Sequence, residues 1–178
     1  MCVLDAAAKE AEVARFLRAY PRVTEAGGTH PVLRGCDEIA WSEIPGCPAG
    51  VPAVLRGLLD PDAAAEAQRV LDNVLMDGVF RLSAVMPVAL PFLLRLAADP
   101  GLPVRADLLG GLLLAAELCT PYDADEPVPR FSGGAADHAE RLRCGAVFAA
   151  HAPEVAGLAD GFPDAADRAC LREVAGLR

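Results

Sequence analysis

Two groups of side chains in this 178-residue sequence have the types and spacing that chemistry requires. Asp77 and Arg81 stand four residues apart across Gly78, between two apolar runs, where a carboxylate and a guanidinium could grip the polar group of a ligand. The competing explanation is a turn stabilised by one ion pair, because charges enter apolar surroundings in pairs, and the setting favours it. The second group is His30, Asp37, Glu38 and Glu43, gathered around Cys36 and Trp41 in a stretch rich in Gly and Pro. An imidazole beside carboxylates can move protons or hold a metal, and loops carry function more often than scaffold helices do. Their spacing fits no metal-ligand pattern, so no metal is expected, and Trp41 reads as an anchor for the segment before it reads as a platform for a ligand.

Other residues carry weaker signals. Asp137, His138 and Glu140 open a helix, where the helix dipole alone is sufficient reason for acids. Tyr122, Asp123, Asp125 and Glu126 form an acidic loop that could meet a basic partner but lacks EF-hand spacing. Cys144, preceded by Arg141 and Arg143, is the thiol with basic neighbours in sequence, although a structural role is favoured. No Walker-type Gly-Lys, dinucleotide-binding Gly triad or nucleophile elbow occurs, so no cofactor is expected. The six cysteines show no Cys-x-x-Cys spacing, and the opening residues lack a basic region followed by an apolar run. A cytoplasmic protein with thiols buried as small hydrophobes is the expectation.

The elements that must position these residues are helices. Hydrophobic residues make up 53% of the chain and are dominated by Ala, Leu and Val, while aromatics are 5%, a balance that suits helices. An all-α fold in a single domain, 1–178, follows. Residues 1–50 supply one helix and an irregular segment, and 51–178 supply helix pairs with a Pro-, Gly- and acid-rich insertion at 119–134. Val13, Phe16, Leu17 and Tyr20 mark the first helical stripe, ended by Pro21. Val51, Val54, Leu55, Leu58 and Leu59 mark the next, with Pro52 allowed in its first turn. Asp60-Pro61 is expected to cap and open a helix with Ala63, Ala67, Val70, Leu71, Val74 and Leu75 inward, stopped by Gly78. Ser83 is expected to cap a helix with Val85, Val88, Ala89, Phe92, Leu93 and Leu96 inward, Pro87 in its first turn and Pro91 inside it. Later helices are expected at 104–118, at 135–151 with Ala139, Leu142, Ala146 and Ala149 inward, at 154–158, and at 164–177 with Ala166, Ala169, Cys170, Val174 and Leu177 inward. The longest apolar run is interrupted by Arg81 and Arg95, too short for the roughly 20 residues of a membrane span. Net charge is −9, which disfavours nucleic acid and anionic membrane surfaces as partners.

Leu-Leu-Asp60, Ala-Ala-Asp99 and Leu-Ala-Asp160 each close one apolar run and begin the turn to another, 39 and 61 residues apart. The first interval lies near the roughly 40–47 residues of HEAT or armadillo helix pairs, and the second exceeds it by about the insertion. The stretch "DPGLPVRADLLGGLL" resembles the inter-repeat turn of HEAT and phycobilisome-lyase-type HEAT-like repeats. Trp41, "VPAVLRGLLD" at 51–60, "LDNVL" at 71–75 and "DGVFRLSAVMPVALPFLLRL" at 77–96 are similar to a group of actinobacterial HEAT-repeat proteins. That group carries His-Tyr-Gly before the Val-Pro helix and often His-Gln before the Gly; this chain has "PGCPAG" and Met76-Asp77 there.

The resemblance implies an α-solenoid of stacked antiparallel helix pairs and no particular activity. The expected function is a protein-binding adaptor or toxin-neutralising protein. The alternative is an enzyme or ligand-binding protein of secondary metabolism, with a small-molecule pocket between segment 22–50 and the repeat core. A HEAT-like DNA glycosylase is the third reading, disfavoured by the acidic charge.

Overall fold

The structure is a computed structural model and describes residues 4–25, 30–78, 80–119 and 134–177, with the backbone alone at 25 and 134–138. Most of it is helical. Helix α1 (Ala6–Ala19) is capped by Asp5, whose Oδ1 accepts from the Ala8 N–H at 2.8 Å. A single turn, α2 (Arg22–Glu25), follows, then three 3-10 turns at Pro31–Leu33, Cys36–Glu38 and Trp41–Glu43. The first helix pair is α3 (Val51–Gly57) and α4 (Ala64–Leu75). A short antiparallel hairpin, β1 (Met76–Gly78) and β2 (Arg81–Leu82), leads to α5 (Met86–Ala97) and α6 (Arg105–Cys119). The last three helices are α7 (Gly134–Ala150), α8 (Ala152–Ala159) and α9 (Ala165–Val174), the last capped by Asp164. No helix among the described residues is long and apolar enough to cross a membrane.

One apolar core runs from α1 to α9, and α4 gives it a complete face. All six residues of its expected stripe are buried, and α1, α3, α6 and the hairpin pack around it. Burial of each large aliphatic side chain contributes about 1.5–3 kcal/mol, which is why so regular a stripe fixes a face. In α5, Pro87 does lie in the first turn and Pro91 inside the helix. Gly57 has a packing reason: a Cβ there would come within 2.6 Å of the Phe16 ring, so α1 and α3 meet only because the position is bare.

Four local expectations fail, each for a physical reason. Helix α4 is regular from Ala64 and not from Pro61, although Asp60 keeps the bonds of a cap: its carboxylate accepts from the Asp62 N–H at 2.9 Å and its carbonyl takes the Ala63 and Ala64 N–H groups, so a single turn precedes the helix. Ser83 sits before the helix it was expected to cap: its Oγ accepts from the Val85 N–H at 3.2 Å and α5 begins at Met86. In α7 the inward face carries Arg141, Cys144 and Phe148, while Ala139, Leu142, Ala146 and Ala149 face out. A buried arginine set that face, since Arg141 donates to the Phe80 carbonyl at 3.1 Å and brings its hydrocarbon stem inward. In α9, Ala166 and Ala169 are likewise exposed and Leu171 is the buried residue.

Helix α4 ends at Leu75 because of a residue far away in sequence. Lys9, the only lysine in the chain, is 2% exposed. Its Nζ donates to the Val74 carbonyl at 3.2 Å and to Asp77 Oδ1 at 2.5 Å. The ammonium thus meets the carbonyl end of α4, where the helix dipole favours a cation, and holds the first hairpin strand to α1. The two partners are not equivalent, because the Lys9 side chain is 3% exposed and that of Asp77 41%. Asp77→Ala strands an ammonium with one carbonyl and should cost about 2–3 kcal/mol, a discounted value for a half-wet pair. Lys9→Met keeps the apolar stem, leaves a solvated carboxylate and should cost about 1 kcal/mol. Urea unfolding of the two variants checks the order; equal losses would contradict it.

Candidate functional site

The sequence candidates do not converge. Asp77 pairs with Lys9, and the ion pair expected between Asp77 and Arg81 does not form. The four-residue spacing brings side chains together on a helix, whereas here the chain runs through a hairpin in which Gly78 is the partner of Arg81 and the Arg81 side chain faces solvent.

His30 is exposed at the entry to the first 3-10 turn, and Glu38 and Glu43 are exposed on the next two. Asp37 accepts from Arg56 Nη1 at 2.9 Å. The Cys36 thiol is pushed up to about 11, chiefly by burial and then by the Asp37 charge, so it is no nucleophile near neutral pH. Trp41 is buried, donates through Nε1 to the Cys36 carbonyl at 2.8 Å, and lies 6.2 Å from the Phe92 ring. The guanidinium of Arg95 covers that ring at 4.8 Å and reaches the Arg34 carbonyl, which pins the irregular segment to α5. Trp41 is an anchor in this geometry.

An open groove of about 500 Å³ runs between Arg22 and His30 on one side and Arg56, Asp60 and Asp62 on the other. Its charges are engaged with one another: Arg22 with Asp62 at 2.9 Å, and Arg56 with Asp37 and the Val23 carbonyl. Glu140 pairs with Arg143 at 3.4 Å, and Cys144 is fully buried. Tyr122, Asp123, Asp125, Glu126 and the side chains of Asp137 and His138 lie outside the described residues. Among the described residues no cluster of His, Cys, Asp and Glu could hold a metal.

A more enclosed cleft of about 220 Å³ lies where α4, α5 and α6 meet, and the sequence marks none of its residues as a candidate site. Leu75, Met86, Leu93 and Leu112 give it apolar walls, and α6 contributes Asp107, Gly111 and Leu114 at i, i+4 and i+7, one helical face. Its polar edge is Gln68 and Asp72, one turn apart on α4. Gln68 is 5% exposed; its Nε2 donates to Asp72 Oδ1 at 2.7 Å, while its buried Oε1 has no donor among the described residues. An unpaired buried carbonyl costs about 1–3 kcal/mol, so something must offset it or the position would be apolar.

The carboxyl of Asp72 is pushed up to about 6, mainly by burial, with the Asp107 charge adding and the Gln68 hydrogen bond opposing. Gly110 and Gly111 also line the cleft, in mid-helix, where each glycine costs about 1 kcal/mol relative to alanine. A Cβ at either would meet no atom within 4 Å, so packing does not demand them. What they leave is open wall, the device by which a backbone admits close approach by another molecule. The sequence signal was available in the Gly-Gly pair inside an otherwise strong helix, whereas Gln68 and Asp72 read as the wet side of α4.

No protein family, curated protein or solved structure matches the chain, so its site is read from geometry alone.

The raised pKa of Asp72 has a definite sign. Because the folded value lies above the ordinary 3.8, the stabilising contribution is full below about pH 4 and is lost as pH rises through about 6. Asp72→Asn removes this loss. Its stability relative to the parent chain should rise by about 2 kcal/mol between pH 4 and pH 8, measured by urea unfolding at both. A pH-independent difference would show that Asp72 is not desolvated.

Proposed function

We propose that this protein binds a small, largely apolar molecule bearing a hydrogen-bond donor, in the cleft between α4, α5 and α6. The observation that carries the reading is the buried, donor-less Gln68 Oε1 at the edge of an apolar cleft whose far wall is bared by Gly110 and Gly111. Binding sites are commonly apolar concavities with a few convergent polar groups, and the volume lies just below the roughly 300 Å³ at which drug-sized sites begin. The reading takes up the alternative drawn from sequence, a ligand-binding protein, in place of the expected adaptor, and moves its site from between segment 22–50 and the repeat core to α4, α5 and α6.

The scaffold is best described as a HEAT-like stack of helix pairs. Support comes from a row of helices in contact, α1 on α4, α4 on α6 and α6 on α9, while α7 packs on both α5 and α6. In such a stack each pair buries its own apolar face against its neighbours, and a cleft opens where two helices of the row stand apart. A protein partner is the second reading. It is favoured by the exposure of Phe80 (45%) and Leu142 (62%), on elements joined by the Arg141 hydrogen bond.

Hexan-1-ol, an apolar chain with one donor, is a suitable probe. Chemical-shift titration should give saturable changes at the amides of Gln68, Gly110 and Gly111. Gly111→Leu should raise stability by about 0.5–1 kcal/mol through helix propensity while removing those changes, because its side chain fills the cleft. Unaltered titration in the variant, or none in the parent chain, would overturn the reading in favour of the protein-partner one.

A further inference from the structure

The donor that this cleft selects can be specified from its charges, on the premise that the cleft is a ligand site. Two carboxylates, Asp72 and Asp107, line it together with the unpaired Gln68 Oε1, and among the described residues no lysine, arginine or histidine does. All three groups are acceptors once the acids ionise, and the Nε2 of Gln68 is committed to Asp72. A carboxylate or phosphate entering here would face two like charges without a counter-ion. A neutral hydroxyl could satisfy one acceptor and leave the others. A primary ammonium offers three N–H donors, one for each acceptor, and a positive charge that offsets the two carboxylates.

We infer that the cleft binds a protonated primary amine on a short apolar body, with Asp72 and Asp107 as its counter-charges and the Gln68 carbonyl as its third acceptor. The ammonium end sits at the α4 edge beside Asp72, and the carbon chain runs along Leu93 and Leu112 past the bare wall at Gly111. The empty cleft keeps Asp72 partly neutral near pH 6. The groups facing it are Gln68 on its own helix and Asp107 on α6; the lining residues of β1 and α5, Met76, Met86 and Leu93, do not titrate. An arriving ammonium replaces the proton on Asp72, so affinity rises as the proton becomes easier to lose.

The test compares hexylamine, hexan-1-ol and hexanoate by calorimetry and by chemical-shift titration of the whole chain. Hexylamine should bind at least tenfold more tightly than hexan-1-ol at pH 8, and hexanoate should not bind. Hexylamine affinity should fall about tenfold from pH 8 to pH 5, where about nine-tenths of Asp72 is protonated, while hexan-1-ol affinity stays level. Asp72→Asn, whose fold is expected to be more stable near neutral pH, should bring the amine-to-alcohol ratio close to one, and Asp107→Asn should lower it several-fold. Equal affinity for amine and alcohol, or tighter binding of hexanoate, would overturn the inference and leave the ligand site standing. If none of the three perturbs the amides of Gln68, Gly110 and Gly111, the ligand site itself falls and the inference with it.

Discussion

One ammonium group determines where the first helix pair stops. Lys9 comes from α1 into a place with almost no solvent and satisfies itself on the last turn of α4 and on Asp77. A charge there must be partnered, and the available partners fix the geometry: α4 ends at Leu75, the chain turns into the hairpin, and Met76 is carried to the edge of the cleft. The same hairpin offers the Phe80 carbonyl to Arg141, so two long basic side chains tie the N-terminal helix and α7 to a single short turn. Neither basic residue is a surface decoration. Each buries a hydrocarbon stem and delivers its charge to a backbone carbonyl.

The cleft follows from what α4 cannot bury. Its apolar stripe is wholly covered, but the edge formed by Gln68 and Asp72 faces α6, and α6 answers with Asp107 and two glycines where larger aliphatic residues would have closed the gap. The combination is expensive for a fold that does nothing: a donor-less carbonyl, a carboxyl held near pH 6, and two glycines at the middle of a helix. Stability given up at one location, with no packing reason, is the usual mark of a binding site.

The helices were legible where period and composition agreed. The stripes of α3, α4 and α5 are regular, and so is the place of Pro87, because apolar periodicity decides which face is buried. The face of α7 was misread because its inward residue is Arg141, and a rule that puts arginine outside rotates the helix by about half a turn. The partner of Asp77 is 68 residues away, a pairing that no local pattern announces. Trp41 was legible as an anchor, since a lone buried indole in a Gly- and Pro-rich segment needs an acceptor and finds one in Cys36. The cleft was missed because polar residues on an amphipathic helix ordinarily mark its wet side. Only contact between α4 and α6 turns Gln68 and Asp72 inward.

Crystals grown with hexylamine near pH 8 give the most direct view of the cleft. If α4 and α6 enclose an amine site, the ligand nitrogen lies within about 3 Å of Gln68 Oε1 and of an Asp72 oxygen, with its chain against Gly111. A closed cleft with Leu114 packed onto α4, and Gln68 Oε1 paired with a protein donor, would contradict it.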